Sequence, residues 1–172
     1  MNNSKFNADS IFNIKGLEMY DKMNPIDVRI RKFIAQNQTL TLATCQDGAP
    51  YCCSLFYAFD ESAGLLYFMS SRDSRHSREM ISNSHISGTI LNAEQSVMRL
   101  QGIQFSGEAF VLEAEMQQQA RKIYLQKYPV ARLNPSELWY IRIDWIKMTD
   151  NTLGFGTKLI WEREIAFRQA AS

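Results

Sequence analysis

The sequence predicts a mainly β protein with inserted helices, built as an antiparallel barrel of about six strands. Stretches in which apolar and polar residues alternate recur along the chain, as in TLTLATCQ at 39–46. Turn sequences separate these stretches, as Asp47 and Gly48 do after the first of them. Three segments have helical spacing, but they do not alternate with the strands as a doubly wound parallel sheet requires. Short antiparallel strands in this order favour a closed or partly closed barrel.

The totals describe an ordinary globular chain. The 172 residues include 45% hydrophobic and 22% charged residues, and the net charge is +1 with a pI near 7.7. This balance argues against a general nucleic-acid binder, which is usually more basic. We find neither an apolar run long enough for a membrane span nor an apolar signal core, so we expect a cytoplasmic protein without a membrane partner. Residues 1–23 have no clear period and are predicted to form an N-terminal arm, and residues 24–172 to form a single domain.

The cysteines do not indicate a metal site. Cys45, Cys52 and Cys53 match neither zinc-ligand spacing nor a CxxC redox motif. We therefore expect reduced thiols and no bound metal.

The first half of the domain is predicted to be a helix followed by a meander. NPIDVRIRKFIAQNQ at 24–38 has helical spacing, with Asn24 as a possible cap and Pro25 in the first turn. The three strands of the antiparallel meander are expected at 39–46, 51–59 and 65–71.

The second half mixes helices and longer strands. A short helix is predicted at 72–83, with Asp73 or Ser74 as its cap. The alternating segment at 97–113 contains Gly102 and Gly107, which suggest bends or the close approach of another group. The apolar residues of ELWYIRIDWIKMTD do not all share a face, so we expect a bulge or burial on two sides. The remaining elements are a strand at 84–91, a helix at 113–128 and a strand at 137–150.

The stretch FMSSRDSRHSREM at 68–80 places hydroxyl and cationic side chains where a strand ends and a helix begins. A helix N-terminus supplies free N–H groups and a partial positive charge. Ser70 and Ser71 add hydroxyl donors, Arg75 adds a fork of N–H donors, and His76 adds another when protonated. This combination predicts an anion site, and a phosphate suits it best.

An alternative interpretation remains open, because clusters of serine and arginine are also common on surfaces. In it the stretch is a solvated helix start, Arg72 and Arg78 face water, and Asp73 pairs with a neighbour. The stretch lacks the glycine run of a P-loop. His76 should tend toward its neutral form among cationic neighbours unless an anion is present, and His85 is assigned no role.

The order of these elements resembles the FMN-binding split-barrel superfamily, the fold of pyridoxamine 5'-phosphate oxidase and its relatives. The resemblance rests on the helix, the meander, YFMSSRDSRHSREMISNSHISGTI and GIQFSGEA, and it covers about residues 25–165. In that superfamily a strand ends in Tyr/Met-Thr/Ser, and a Ser-Arg-Lys triplet then opens a helix that holds the FMN phosphate. The matching residues here are Met69, Ser70, Ser74, Arg75 and His76.

Further segments narrow the resemblance. GIQFSGEA, KYPVARL and the ending MTDNTLGFGTKLIWERE are similar to the small YhbP-like branch. The resemblance implies a six-stranded split barrel, bound FMN and a homodimer that shares its site between two subunits. Arg132, in KYPVARL, either serves a substrate anion or pairs with an acidic surface. The cofactor-binding residues that the resemblance implies are Cys52, Cys53, Ser54, Leu55 and Phe56 along the isoalloxazine edge, Met69 and Ser70 at the ribityl–phosphate end, Ser71, Arg75 and His76 on the phosphate, Gln104 near the ring across the dimer interface, and Lys158 and Trp161 from the partner subunit.

Departures from the family pattern limit the functional expectation. His76 stands where the oxidases usually have lysine, and Cys52 stands where the oxidase has arginine. GFGTKLIWER replaces the segment that grips the vitamin substrate, so oxidation of pyridoxine phosphate is not expected. We expect an FMN-dependent oxidoreductase without an assigned substrate or catalytic residue. The alternatives are a flavin-binding protein without turnover, a haem-binding relative with His76 or His85 as axial ligand, and a structural dimer without a cofactor.

Overall fold

The computed structural model describes residues 12–14, 17–21, 25–93, 96–113, 117–133 and 136–169. Short 3-10 helices lie at Val97–Arg99, Pro129–Arg132 and Asn151–Leu153. The strands and α-helices are β1 (Phe12–Ile14), β2 (Leu17–Asp21), α1 (Val28–Gln36), β3 (Thr39–Gln46), β4 (Ala49–Phe56), β5 (Ala58–Asp60), β6 (Leu65–Ser70), α2 (Arg75–Ser82), β7 (His85–Leu91), β8 (Gln101–Val111), α3 (Gln117–Lys127), β9 (Glu137–Asp150), β10 (Lys158–Glu162) and β11 (Ile165–Gln169).

The chain divides into two compact units. One comprises Met1–Pro25 with Glu162–Ser172, and the other comprises Ile26–Trp161. In the first unit, β1, β2 and β11 form a three-stranded antiparallel sheet with β2 in the middle. The predicted division into an arm at 1–23 and one domain at 24–172 stays a prediction, since most of the arm lies outside the described residues.

The second unit is built on a curled antiparallel sheet with the strand order β4-β3-β7-β8-β9-β6-β5, and β10 also pairs with β9. The strands β4 and β5 lie at opposite ends of this order, although only Tyr57 separates them in the chain. The sheet must therefore curl until its two edges approach. The Tyr57 hydroxyl donates to the Ile34 carbonyl at 2.6 Å, and the Tyr57 N–H donates to Gln38 O at 3.1 Å.

The predicted fold class, an antiparallel split barrel with inserted helices, is confirmed. The strand count of six is corrected to eight for this sheet within the described residues. One reason is the interruption at Tyr57, which divides the strand predicted at 51–59 into β4 and β5. The other is β10, which forms in the apolar segment after the last glycine.

Two strands of the sheet are buried on both faces. Trp139 and Ile141 of β9 point into the main core, whereas Leu138 and Tyr140 pack in a second cluster under α3, with Tyr124. The adjacent strand β6 shows the same division between the two clusters. The burial on two sides predicted for 137–150 is therefore confirmed.

A β-bulge shapes the pairing of β8 with β9. The register shifts between Ser106 and Gly107, which places Asp144 in the bulge. Arg142 bridges the carboxylates of Asp144, at 3.0 Å from its Nε, and of Glu108. The close approach predicted at Gly107 is real, because a Cβ placed there would lie 2.0 Å from the Arg142 carbonyl oxygen.

Several local predictions match the described structure, and one is corrected. The strand predicted at 39–46 is β3, and Asp47 and Gly48 turn the hairpin with φ values of 53° and 78°. The first helix begins later than predicted, because the Asp27 carboxylate accepts from the Arg29 N–H at 2.8 Å and caps it in place of Asn24. Among the residues described, we find no helix long and apolar enough to cross a membrane.

Candidate functional site

Hydrogen bonds hold both the end of β6 and the start of α2 at the junction between them. The Trp139 indole N–H donates to the Ser70 carbonyl at 3.1 Å and holds the end of β6 against the core. Ser74 caps α2, since its hydroxyl oxygen accepts from the Ser77 N–H at 3.3 Å. Of the two caps considered from the sequence, Ser74 is therefore the one used.

Hydroxyl groups surround the His76 ring at this junction. The Nε2 atom lies 2.7 Å from Ser70 Oγ and 3.1 Å from Ser74 Oγ. Ser77 completes the cluster, with its hydroxyl 2.8 Å from Ser74 Oγ and 3.1 Å from Ser70 Oγ. The two serines Ser70 and Ser77 are buried, so the cluster forms a polar floor beneath the start of α2.

The surroundings of His76 favour the neutral form of its imidazole ring. Burial lowers the pKa of the imidazole, and the Glu79 carboxylate opposes this effect only in part. A neutral ring can exchange hydrogen bonds with the two serine hydroxyls at little cost. A bound anion nearby would favour the protonated ring, which donates from both nitrogens.

Arg75 is oriented by a buried carboxylate. Its Nε donates to Glu79 Oε1 at 2.8 Å, and its guanidinium lies 4.3 Å from the centre of the Tyr51 ring. The other Glu79 oxygen accepts from the Thr44 hydroxyl, and the Glu79 side chain is only 5% exposed. The hydrogen bonds from Thr44 and Arg75 lower the pKa of Glu79, so the carboxylate stays charged and holds the arginine.

Several donors at this junction have no acceptor within the described part of the chain. They include the backbone N–H groups of Arg75 and His76, which are the first two of α2 and cannot bond within the helix. They also include the Nη atoms of Arg75, whose side chain is 53% exposed. The Ser71 hydroxyl is exposed beside them. Free helical N–H groups, a guanidinium edge and hydroxyls are the donors that a phosphate group requires.

The strand β4 lies at an edge of the curled sheet. It pairs with β3 along its whole length, and β3 is its only partner strand among those described. The outward side chains, which include Cys52, Ser54 and Phe56, are exposed, and Cys53 and Leu55 between them are partly buried. Burial, with a smaller effect of Cys52, raises the pKa of the Cys53 thiol to about 11. The side chain therefore contributes an uncharged surface to the β4 edge.

Gln104 lies on the outward face of the sheet, in the same cross-strand row as Ser54. The register connects Ser54 to Thr41, Thr41 to Thr89 and Thr89 to Gln104. Three strand spacings of about 4.8 Å put Gln104 roughly 14 Å from Ser54 within one chain. One copy of the chain therefore does not bring Gln104 against the β4 edge.

The other residues predicted from the resemblance lie in different surroundings. Met69, the second-to-last residue of β6, is partly buried against the hydrophobic cluster under α3. Lys158 is exposed at the start of β10, whereas Trp161 near the other end of the strand is 6% exposed and lies in the core of its own chain. Arg132 is exposed at the end of a 3-10 helix.

Sequence reasoning missed the group that holds Arg75. Glu79 follows Arg75 by four residues, and this spacing is a visible signal of an ion pair on a helix. Thr44 and Tyr51 come from β3 and the edge strand, and the sequence alone carries no signal that they meet α2. Within the described residues, we find no cluster of three or more side chains suited to a metal ion.

The chain also matches a known protein-family model. The family model for pyridoxamine 5'-phosphate oxidase matches residues 26–150, which include the edge strand and the junction before α2. The UPF0306 protein YhbP of Salmonella arizonae is 38% identical over 141 residues, which cover 82% of this chain and 96% of that protein.

Solved structures share the fold at low identity. A haem-binding protein from Mycobacterium smegmatis superposes with a TM-score of 0.66 and 20% identity over 77% of this chain, which corresponds to 55% of that longer chain. An FAD-binding protein from Mesorhizobium loti superposes with a TM-score of 0.61 and 16% identity over 77% of this chain and 96% of its own. At these identities the likeness is one of fold.

Proposed function

The chain belongs to the pyridoxamine 5'-phosphate oxidase family, as its motifs predict, and from this premise we propose that it binds flavin mononucleotide (FMN) and acts as an oxidoreductase. The observation that carries the proposal is the junction at Ser70–Arg75. It collects free donors of the kinds a phosphate monoester requires around one helix N-terminus.

The phosphate would be held from two directions. The N–H groups of Arg75 and His76 and the hydroxyl of Ser71 supply donors along the helix axis. The Nη edge of Arg75 supplies a charge-assisted contact, because Glu79 and Tyr51 already fix the other edge and the face of the guanidinium. The polar floor of Ser70, Ser74 and His76 needs little rearrangement to donate toward an oxygen above it.

The ring of the flavin would lie along the β4 edge. Within the described residues, 52–56 have no strand partner on the side away from β3, and a flat heterocycle with a donor and acceptor edge suits the main-chain groups on that side. We propose a homodimer in which Gln104 and Lys158 of one subunit approach the ring held by the other, since both are exposed and Gln104 is three strands away from β4 in its own chain. Trp161 would contribute through the core that supports β10.

The chemistry would come from the cofactor. A bound flavin supplies transfer of electrons or hydride to an acceptor. The residues of this chain bind its phosphate, orient its ring and shield its edge. Cys53 stays protonated under ordinary conditions, because its pKa is about 11, and serves as a wall of the site.

Haem binding is the second function that an observation favours. His76 Nε2 is engaged by two serines, but His85 is exposed and lines a groove of about 500 Å³ beside Cys45, Ser87 and Ser106. An exposed imidazole beside a groove of this size can serve as an axial ligand. A solved haem-binding protein shares this fold, which is a reason to test haem as a ligand of this chain.

A titration of the purified protein with FMN, riboflavin and haemin tests the proposal. We expect a flavin spectrum with FMN and binding of riboflavin at least tenfold weaker, because a charge-assisted phosphate contact contributes roughly 1.5–3 kcal/mol. Equal affinity for the two flavins would contradict the phosphate site. A Soret band with haemin that is lost in His85→Ala, without flavin binding, would favour the second function.

The affinity for FMN should increase as the pH falls from 8.5 to 6.5. A phosphate monoester stays mainly a dianion above its second pKa near 6, so the ligand changes little in this window. Burial lowers the pKa of His76 in the free protein, and the bound phosphate would raise it, so binding takes up a proton. We expect about a tenfold gain for FMN, no change for riboflavin, and a flat profile in His76→Lys, which keeps its charge throughout. A pH-independent affinity in the unmodified protein would exclude this role of His76.

A further inference from the structure

A groove beside α2 shares Arg75 with the proposed phosphate site. It lies between α2 and the β3–β4 hairpin, has a volume of about 520 Å³, and is lined by Arg75, Arg78, Glu79 and Ser82 from the helix and by Gln46 and Asp47 from the hairpin. We propose that this groove binds a nucleotide group, a nucleoside whose phosphate lies beside the phosphate site of the proposed function, on which this inference rests. The ligand in full would then be a flavin dinucleotide, or FMN beside a separate nucleotide.

Arg75 joins the junction to the groove. It follows the Ser74 cap directly, and its guanidinium is fixed by Glu79 through Nε and by Tyr51 through its face. The Nη atoms have no acceptor within the described residues. A guanidinium edge presents parallel N–H donors, which can contact two neighbouring phosphoryl oxygens at once.

Arg78 supplies the second cation. It follows Arg75 by three residues, so the two side chains leave the same side of α2 with Cβ atoms about 5–6 Å apart. Arg78 is exposed, and within the described residues its side chain has no ion-pair or hydrogen-bond partner. A second phosphoryl group beside the first would place its charge between the two arginines.

The two acidic residues of the groove, Glu79 and Asp47, differ in how strongly they would repel a bound phosphate. The Glu79 carboxylate is already bonded to Arg75 and Thr44, so it is neutralised from within the protein. Asp47 lies at the hairpin turn, with Gln46 next to it. A carboxylate accepts from ribose hydroxyls, and an amide both donates to and accepts from a base. The groove therefore offers cations for phosphate at the helix and neutral or acidic groups for a nucleoside at the hairpin.

The size of the groove suits such a group. Small-molecule sites usually enclose about 300–1,000 Å³, and the groove volume of about 520 Å³ is within this range. The phosphate of FMN alone would leave most of this space to solvent.

Titrations with FMN and flavin adenine dinucleotide (FAD) test the inference on the unmodified protein and on Arg78→Ala. We expect FAD to bind about tenfold more tightly than FMN to the unmodified protein, and we expect Arg78→Ala to weaken FAD about tenfold more than FMN. Arg72→Ala is the matched control, since Arg72 is an exposed arginine just before α2 that does not line the groove. It should change both affinities by less than twofold.

Adenosine diphosphate added to the FMN-loaded protein distinguishes the two sources of the group. Binding that Arg78→Ala weakens would assign the groove to a separate nucleotide, and tighter binding of FAD without such binding would assign it to the flavin itself. If FMN binds with preference over riboflavin, but neither FAD nor adenosine diphosphate shows an effect of Arg78→Ala, the inference is wrong and the proposed function stands. If FMN shows no preference over riboflavin, the proposed function fails first.

Discussion

Gly107→Ala should lower the free energy of unfolding by about 3 kcal/mol or more, the largest effect of a single methyl group that we expect in this chain. The added Cβ would meet the Arg142 carbonyl oxygen at 2.0 Å, and the Arg142 carbonyl carbon and Ile143 Cα at 3.0 Å. These atoms belong to the backbone of β9, so the clash cannot be relieved by turning a side chain. The strands must separate at the bulge, within the longest strand pairing of the sheet.

Gly102→Ala on the same strand is the matched control. There a Cβ would meet Leu91 Cδ1 at 3.0 Å and Ile90 O at 3.6 Å. Leu91 is exposed and can move away. Urea denaturation followed by circular dichroism should show a large loss of stability for Gly107→Ala and a change within about 1 kcal/mol for Gly102→Ala. Equal stability of the two variants would mean that β8 and β9 are not as close at the bulge as described.

The parts of the fold that depend on local pattern could be predicted from the sequence. The strand β3 and its hairpin turn follow from alternation and from Asp47 and Gly48, and the cap of α2 is narrowed to Asp73 or Ser74, of which the structure uses Ser74. The end of β4 could not be predicted in this way. It depends on Tyr57, which is held by carbonyl groups of Ile34 and Gln38 about twenty residues earlier in the chain.

The candidate site divides in the same way. The residues themselves led to the junction because they are consecutive, from Ser70 to His76. The support of Arg75 was missed because Thr44 reaches Glu79 across 35 residues of sequence. Trp161 illustrates a limit of the resemblance. The resemblance assigned this residue to a site shared between two subunits, and its ring lies in the core of its own chain. A motif therefore identifies donors, whereas packing decides how they are held.

Arg75→Ala should reduce the affinity for FMN roughly tenfold to a hundredfold. The substitution removes a charge-assisted contact worth on the order of 1.5–3 kcal/mol, and it also removes the partner of the buried Glu79 carboxylate. Riboflavin has no phosphate, so its affinity should change by less than threefold. Fluorescence titrations with both flavins, on protein whose circular dichroism matches that of the unmodified chain, measure the two effects.

Two further variants separate the phosphate contact from a general loss of charge or structure. Arg72→Ala removes an exposed arginine just before α2 and should leave both affinities unchanged. Arg75→Lys keeps the positive charge but loses the planar fork, so it cannot bond Glu79 through one edge and a phosphate through the other. We expect it to recover only part of the FMN affinity. If Arg75→Ala keeps full affinity for FMN while its fold is intact, Arg75 belongs to the structural pair with Glu79 alone, and the anion must be sought elsewhere on the junction.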